Sequence, residues 1–457
     1  MTFSERSSRP AAVVLAVTVA VAAAASALPL LSASPAAASP AAASPAAASP
    51  AAVSPTAALA AAVSPSVGAV ASVASPFVLP ATSGPFAVGR EVLHLTDRSR
   101  PDPWVPGRAR ELMVSMFYPA AGLSGRPAVG LSGRPAVGLS GRPAVGLSGS
   151  PAVDLSGRPA VGLSGQSALY LSAAEARLLI DDRGAAGVID PSELSATRTA
   201  SILSAPARRG RHPLVVLSPG FTLHRHTLTH LAEELASHGY VVATVDHAYE
   251  SAGTDFPGGR TLTCTACTLV SSDYARVATG RALDLSFVLD RLTGPRPAWR
   301  HAHMIDRSRI GMAGHSIGGN ATATTMAADP RVRAGINMDG GLFEPIPAGG
   351  LGGRPFLLLG APSAVPSASW LRDWPLLDGW KRWLDVTGSG HMDFTDIPVI
   401  GEQAGIPDPG FPLPGSRAAQ ITRDYVTAFF DLHLRGIRQP LLDGPSADHP
   451  EVVFRES

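Results

Sequence analysis

The chain has 457 residues, and its 37 basic and 36 acidic side chains leave a net charge of +1. Without a basic block, this balance argues against nucleic acid as a partner. Two low-complexity stretches, residues 1–83 and 122–169, hold few large apolar side chains. We therefore expect the rest of the chain to form one large domain.

The N-terminus has the pattern of an export signal. Arg6 and Arg9 precede an apolar run from Ala11 to Leu31, and small residues suited to cleavage follow. A short basic region before an apolar segment is typical of secreted proteins, so residues 1–31 are predicted to be a signal peptide. The run is also long enough to remain as a membrane anchor. Residues 32–83, rich in Ala, Ser and Pro, are predicted to be a disordered linker.

The predicted domain, residues 84–457, begins with a hairpin. Its two strands are predicted at Val88–Leu95 and Arg110–Tyr118. The array at 122–169 follows, with six repeats of eight residues on the theme Gly-Leu-Ser-Gly-Arg-Pro-Ala-Val. Each repeat has only Leu, Ala and Val to bury, so we predict a flexible expansion of one surface loop with no catalytic role.

Strands and helices alternate through the remainder of the chain. The predicted strands are His212–Leu217, Tyr240–Val245, Ile310–Ala313, Val332–Met338, Pro355–Leu359 and Trp383–Val386. The predicted helices are His226–His238, Ala278–Leu292, Asn320–Ala328 and Arg417–Leu434. This alternation predicts an α/β fold with a mostly parallel central sheet and helices on both faces. In such a fold the functional site lies at the carboxyl ends of the strands.

One five-residue motif lies at such a strand end. Gly314-His315-Ser316-Ile317-Gly318 separates a predicted strand from a predicted helix. This is G-x-S-x-G in a strand–turn–helix setting, where a sharp turn exposes the serine hydroxyl. Glycines flank the turn because side chains there would clash with the neighbouring strand or helix. The motif predicts Ser316 as the nucleophile of a serine hydrolase.

A nucleophilic serine needs a base, and the base needs a carboxylate that orients it. His391 lies in a glycine-flanked loop after the last predicted strand, whereas His433 lies in the closing helix and His449 in the polar tail. Asp339 ends a predicted strand and precedes two glycines, and the later turn at 360–365 has no acid. Since the chain order in this fold is nucleophile, acid, histidine, we predict Asp339 and His391 as the partners.

Ester hydrolysis passes through an oxyanion, which two backbone N–H groups bind in such enzymes. We predict the N–H of Ile317, next after the nucleophile, as one donor. The N–H of Phe221 is the other, in the loop Ser218–Thr222 that follows the strand His212–Leu217. The same loop residues would also make an ordinary strand-to-helix turn.

Four segments carry a family resemblance. They are Leu-Val-Val-Leu-Ser-Pro-Gly-Phe (214–221), Gly-His-Ser-Ile-Gly-Gly (314–319), Ile-Asn-Met-Asp-Gly (336–340) and Gly-His-Met-Asp-Phe (390–394). Together they resemble the plasma-type platelet-activating-factor acetylhydrolase family of α/β-hydrolases, over roughly residues 86–435 apart from the array. The resemblance implies a triad of Ser316, Asp339 and His391, with oxyanion donors at Phe221 and Ile317. It also implies hydrolysis of short or oxidised acyl chains from phospholipids, without a metal.

Two features bear on how far the resemblance extends. Pro219 stands where family members often have His, but this position contributes only its backbone. Ser218–Thr222 and Gly314–Ser316 also look like bacterial cutinases and polyester hydrolases, which take their acid from the later turn. That turn has no acid here, which favours the acetylhydrolase family, while the substrate stays open between a lipid or small-molecule ester and a polyester.

The remaining candidates are predicted to be structural. Cys264 and Cys267 are the two cysteines, and in an exported protein an even count favours a disulfide. His224, His226 and His230 lie on or beside a predicted helix, but no Glu stands beside them as a zinc hydrolase requires. We therefore predict a solvated helix face there, and neither a metal nor a cofactor for this protein.

Four tryptophans cluster before the last predicted strand. Trp370, Trp374, Trp380 and Trp383 are predicted to pack mostly against the sheet, with an acyl pocket or a lipid surface as alternatives. The sequence as a whole predicts a monomeric, secreted serine esterase that acts on a small-molecule or lipid ester and touches lipid surfaces peripherally. The alternative from another class is a non-catalytic surface protein with the low-complexity segments as its stalk.

Overall fold

The computed structural model describes residues 77–121, 168–362, 364–406, 408 and 410–455. The predicted signal peptide, most of the linker and nearly all of the repeat array lie outside these residues. The strands are β1 Val88–Pro101, β2 Ala109–Pro119, β3 Ser201–Leu203, β4 His212–Ser218, β5 Val241–His247, β6 Gly253–Phe256, β7 Arg260–Thr263, β8 Ile305–His315, β9 Val332–Met338, β10 Phe356–Gly360, β11 Lys381–Val386 and β12 Val452–Phe454.

Helices separate most of these strands. They are α1 Ala173–Asp182, α2 Pro191–Ser195, α3 Thr229–Ser237, α4 Ala266–Leu269, α5 Tyr274–Thr293, α6 Ile317–Ala328, α7 Ala364–Asp373, α8 Ile397–Gln403 and α9 Gly415–Arg435. Short 3-10 turns are Arg225–Leu228, Ala302–Met304, Trp374–Leu376, His391–Phe394 and Pro440–Leu442. No helix in the described part of the chain is long and apolar enough to cross a membrane.

Ten of the described strands form one sheet in the order β12-β11-β10-β9-β8-β4-β5-β2-β1-β3. Within this order the central strands β5, β4, β8, β9, β10 and β11 are parallel to one another, and the short β12 is antiparallel to β11. The predicted hairpin of β1 and β2 is antiparallel and joins β5. This is the α/β-hydrolase fold, and it confirms the predicted mostly parallel sheet.

The core lies on both faces of the sheet, as alternation of side chains along each strand requires. In β4, Leu214 and Val216 pack into the cluster that contains α5 and α6, while Val215 and Leu217 pack into the cluster that contains α3 and α9. All four side chains are fully buried. Helices therefore cover both faces, which leaves the strand ends free to carry a site.

Residues 77–83 belong to the packed domain, although the sequence placed them in the linker. Val78 forms an isolated β-bridge with Arg198, and Leu79 is 4% exposed. The N–H of Ser83 donates to Glu234 in α3 at 2.9 Å. The domain boundary therefore lies before residue 84, because these apolar side chains and backbone groups find partners on the domain.

Candidate active site

The serine motif forms a sharp turn between β8 and α6. Ser316 has φ +55° and ψ −126°, a positive-φ conformation that strains a residue with a side chain. A Cβ at Gly314 would lie 2.1 Å from the backbone of Gly318, and one at Gly318 would lie 2.1 Å from the carbonyl of Ser218. Both glycines are therefore required for the turn to close against α6 and the end of β4.

Two side chains from later strand ends meet Ser316. The Nε2 of His391 lies 3.0 Å from the Oγ of Ser316, and its Nδ1 lies 2.5 Å from the Oδ2 of Asp339. The His391 side chain is 41% exposed and that of Asp339 only 3%. The sequence-predicted nucleophile, base and acid thus lie in one hydrogen-bonded row that reaches solvent at the histidine.

Asp339 is held by the strand that follows it. Its own N–H donates to the carbonyl of Leu359 at 2.8 Å, and its Oδ1 accepts from the N–H of Ala361 at 2.9 Å. Burial raises the pKa of Asp339 above its usual range, while the hydrogen bond with His391 opposes the rise. The turn after β10, which has no acid of its own, therefore supplies a donor that orients the acid at Asp339.

His315 supports the loop that carries His391. Its Nε2 donates to the carbonyl oxygen of His391 at 2.7 Å, and the two rings lie 4.7 Å apart. Burial lowers the pKa of His315 well below its usual 6.5, so the ring is neutral and has one N–H to donate. The sequence singled out His315 only as part of the motif and gave no sign of this contact.

The two residues predicted to supply the oxyanion donors have side chains in one apolar cluster. Ile317 begins α6, Phe221 lies in the loop after β4, and their side chains share a cluster with Trp104 and Val277. Among the described residues, neither backbone N–H donates a hydrogen bond within the protein. Both N–H groups are therefore free to bind an oxygen that develops negative charge beside Ser316.

The two cysteines lie next to the same cluster. The structure has a disulfide between Cys264 and Cys267, and Cys264 packs on the cluster that contains Ile317 and Phe221. It joins the segment just before α4 to the second residue of that helix. No group of three or more His, Cys, Asp or Glu side chains that could hold a metal occurs in the described ranges.

The prediction of a solvated helix face for His224, His226 and His230 is wrong. Their exposures are 0%, 3% and 2%. The Nδ1 of His230 lies 2.5 Å from the Oδ1 of Asp396, and the Nδ1 of His226 lies 3.0 Å from Arg90. The start of α3 is buried beneath groups that arrive from distant parts of the chain, so these histidines are structural.

His449 and two of the tryptophans also have structural positions. His449, predicted to lie in a polar tail, is 7% exposed and bonds Asp424 at 2.9 Å, because β12 follows and returns the chain to the sheet. Trp370 and Trp383 are 1% and 7% exposed and pack against each other in the core, as predicted.

The sheet order, the strained serine turn and the helices on both faces define the class of the protein as an α/β-hydrolase. The family model described as PET hydrolase-like matches residues 202–340. A probable 1-alkyl-2-acetylglycerophosphocholine esterase of Arthroderma benhamiae is 30% identical over 413 residues, which cover 84% of this chain and 95% of that protein.

Two further similarities are to a relative that matches a shorter part of the chain and to a solved structure. The platelet-activating factor acetylhydrolase of Cavia porcellus is 28% identical over 174 residues, 31% of this chain and 38% of that protein. The structure of a ferulic acid esterase from Streptomyces cinnamoneus is 41% identical, covers 84% of this chain and 100% of that chain, and has a TM-score of 0.67.

The chain belongs to the platelet-activating factor acetylhydrolase family, and it is a carboxylic ester hydrolase. This confirms the family resemblance of the four sequence segments, and the PET hydrolase-like match confirms the likeness to polyester hydrolases. Family membership overturns the alternative of a non-catalytic surface protein.

Proposed function

We propose that Ser316, Asp339 and His391 are the catalytic triad, and that the N–H groups of Phe221 and Ile317 bind the oxyanion. The observation that carries the proposal is the row of two hydrogen bonds, 2.5 Å from Asp339 to His391 and 3.0 Å from His391 to Ser316. In this row the carboxylate orients the imidazole, and the imidazole can accept the serine proton.

The reaction then has two halves. Ser316 Oγ attacks the ester carbonyl carbon while its proton passes to His391 Nε2, and the carbonyl oxygen becomes an oxyanion. The bond to the alcohol breaks, and His391 returns the proton to the alcohol oxygen. A water molecule, deprotonated by His391, attacks the acyl-enzyme, and the acid leaves with Ser316 restored.

Ser316→Ala tests this proposal. Without a nucleophile we expect the turnover of p-nitrophenyl acetate to fall by roughly a thousandfold or more, and labelling by a fluorophosphonate probe to disappear. Thermal unfolding should show that the variant is folded. Undiminished turnover in the folded variant would remove Ser316 from the mechanism.

The substrates that we propose are short or oxidised acyl esters, including acetylated glycerophospholipids. The relatives named 1-alkyl-2-acetylglycerophosphocholine esterase and platelet-activating factor acetylhydrolase support this substrate class. The exported location is also a proposal. It is supported by the basic pair and apolar run at residues 1–31 and by a disulfide, which persists in oxidising compartments. The monomeric state stays a prediction.

An aryl ester is a second candidate substrate, because aromatic rings line one side of the serine turn. The rings of Phe221 and Tyr274 lie 6.0 Å apart, and those of Tyr274 and Phe343 lie 5.0 Å apart. Phe343 is 43% exposed and follows the glycines after Asp339. A flat acid could stack on this surface, and the similar structure is named as a ferulic acid esterase.

A substrate series distinguishes the two candidates. The purified protein would be given p-nitrophenyl esters of increasing chain length, an acetylated phospholipid, methyl ferulate and a polyester film. Short-chain substrates should have the highest kcat/KM if the first candidate is correct, with a steep fall beyond a few carbons. A preference for methyl ferulate over p-nitrophenyl acetate would select the second candidate instead.

A further inference from the structure

A fully buried arginine lies beneath the loop that carries the Phe221 N–H. Arg281, in α5, is 1% exposed. Its Nη1 donates to the carbonyl of Pro219, and its Nη2 lies 3.5 Å from the carbonyl oxygen of Gly220. Its Nε donates to Glu250 at 2.7 Å. The guanidinium thus binds two successive carbonyls of the loop from the side away from solvent.

The second of these carbonyls belongs to the peptide group that matters for catalysis. The C=O of Gly220 and the N–H of Phe221 are parts of the same planar amide, and the described residues contain no cis peptide bond. In a trans amide the C=O and the N–H point in opposite directions. A cation that fixes the oxygen on the buried side therefore directs the N–H toward the side where Ser316 lies.

The same contact also changes the strength of the donor. A positive charge at the carbonyl oxygen withdraws electron density from the amide, which makes the opposite N–H a better hydrogen-bond donor. Glu250 binds Arg281 and Arg110 at 2.7 Å each, and Asp102 and Asp284 also pair with Arg110, so these carboxylates hold the Arg281 guanidinium in place against the loop carbonyls. Burial would raise the pKa of Glu250, but Arg281 and Arg110 together lower it below its usual range.

Other buried groups hold both ends of the loop. Ser218 Oγ lies 3.1 Å from His247 Nε2, and His247 Nδ1 lies 2.8 Å from Asp284. At the other end, the N–H of Thr222 donates to the backbone carbonyl of Glu250 at 2.9 Å. Although Ser218, His247 and Asp284 repeat the residue types of a triad, each is at most 2% exposed. They therefore anchor the loop and do not form a second site.

We propose that Arg281 is a positioning residue of the oxyanion hole, which orients and polarises the Gly220–Phe221 peptide for the tetrahedral intermediate. This inference rests on the proposed function of Ser316 and Phe221. A buried ion pair that served stability alone would do little that apolar packing could not do. Two donors directed at the loop carbonyls give this pair a task that apolar side chains cannot perform.

The test compares Arg281→Gln with wild type on p-nitrophenyl acetate. We expect kcat to fall by about 10- to 100-fold, because the N–H is displaced but not removed, and KM to change by less than about twofold. Inhibition by octyl trifluoromethyl ketone, which forms a tetrahedral adduct with serine, should weaken by a similar factor. Arg281→Lys should restore part of kcat, since it keeps the buried charge.

Controls separate this role from a purely structural one. Arg100, at the edge of the same network, binds Asp284 at 2.6 Å and makes no contact with the loop. Arg100→Gln should lower the unfolding temperature and leave kcat unchanged. If Arg281→Gln does not fold, the double variant Arg281→Gln/Glu250→Gln keeps the charges balanced, and Arg281→Lys keeps the cation.

Three outcomes would overturn the inference. They are a kcat within about twofold of wild type in a folded Arg281 variant, a rise of KM alone, and unchanged affinity for the trifluoromethyl ketone. Ser316→Ala, measured alongside, shows which idea has failed. Active Ser316→Ala contradicts the proposed function, whereas inactive Ser316→Ala with fully active Arg281→Gln contradicts only the role of Arg281.

Discussion

Asp393, two residues after His391, is a buried acid whose pKa is raised in the folded protein. Its Oδ2 accepts from the N–H of Gly390 at 2.6 Å, and the residue is 6% exposed. Burial raises its pKa from 3.8 to about 6, with the Gly390 hydrogen bond opposing the rise and the charges of Asp408 and Asp339 adding to it. At neutral pH the buried carboxylate is therefore ionised, and this lowers the free energy of unfolding.

Asp393→Asn should change how stability depends on pH. Because the pKa is higher in the folded state than the usual 3.8, the folded protein binds the proton more tightly than the unfolded chain does. This group therefore stabilises the fold below pH 3.8, and the contribution is lost as pH rises through about 6. Asparagine keeps an acceptor for Gly390 and cannot ionise, so the variant's unfolding temperature should rise relative to wild type across that window.

The measurement is thermal unfolding at several pH values within the window, with Asp306→Asn as the matched control. The side-chain hydrogen bond from Ser308 lowers the pKa of Asp306 below its usual range, so ionised Asp306 stabilises the folded state. The unfolding temperature of Asp306→Asn should therefore fall relative to wild type as pH rises, in a range of lower pH than for Asp393→Asn. If the difference in unfolding temperature between Asp393→Asn and wild type stays constant across the window, the pKa of Asp393 is not raised.

At the scale of single residues, the sequence predicted those that lie beside glycines at strand ends. Ser316, Asp339 and His391 could be predicted because the carboxyl ends of parallel strands meet at one edge of the sheet. The contacts of His315 and Arg281 could not, since they join segments 76 and 62 residues apart with no shared motif. Nor did any sequence pattern predict that Arg90 would contact His226 or that Asp396 would contact His230.

At the scale of elements, the serine turn depends on a close approach between α6 and β4. Gly318→Ala would place a Cβ 2.1 Å from the carbonyl oxygen of Ser218. Since backbone atoms at both sides are fixed by the sheet and the helix, we expect a loss of about 2–4 kcal/mol in the free energy of unfolding. Activity should fall as well, because the clash displaces the loop that contains Phe221.

A second glycine provides the control for this prediction. Gly280 lies inside α5, and a Cβ there would meet no atom within 4 Å. Gly280→Ala should therefore raise the free energy of unfolding by about 0.5–1 kcal/mol, as alanine favours a helix over glycine. Denaturant unfolding of both variants gives the comparison, and equal effects of the two substitutions would show that close packing at Gly318 is not what matters.

The helix α1 and the β6–β7 hairpin were not predicted, although the sequence contains a pattern typical of each. Ser172 and Glu175 form the capping box at the start of α1, a pattern of Ser followed three residues later by Glu. Gly258 and Gly259, both with positive φ, make the turn of the β6–β7 hairpin. By contrast, β12 has only three residues, and a strand that short has no periodicity that could predict it.

At the scale of the whole molecule, the sequence predicted the fold class because the buried strands predicted from His212 to Met338 alternate with predicted helices. The strand order could not be predicted from the pattern, since it depends on which edges pair in space. That order places β8, β9, β10 and β11 side by side. Consequently the turns after β8, β9 and β11, which carry the serine, the acid and the histidine, lie at one end of the sheet.

The repeat array begins and ends beside the same segment of the folded domain. The N–H of Ala121 donates to the carbonyl of Pro206 at 2.7 Å, and the N–H of Ala168 donates to that of Ser201 at 3.3 Å. Both ends of the array are therefore anchored to the same short segment around β3, at the edge of the sheet. A short linker can join them without moving the strands that carry the site.

Replacement of residues 122–167 by a six-residue Gly-Ser linker should therefore leave the enzyme intact. We expect kcat/KM for p-nitrophenyl acetate to stay within about twofold of wild type, because the array enters at the edge strand β3 and the site lies beyond the centre of the sheet. The shorter loop loses less entropy when its ends are closed, by roughly 0.6 kcal/mol per halving of length, so stability should rise by about 2 kcal/mol or less.

A Gly-Ser linker of the original length is the control and should return the wild-type stability. A loss of activity above about tenfold with the short linker alone would show that the array contributes to catalysis.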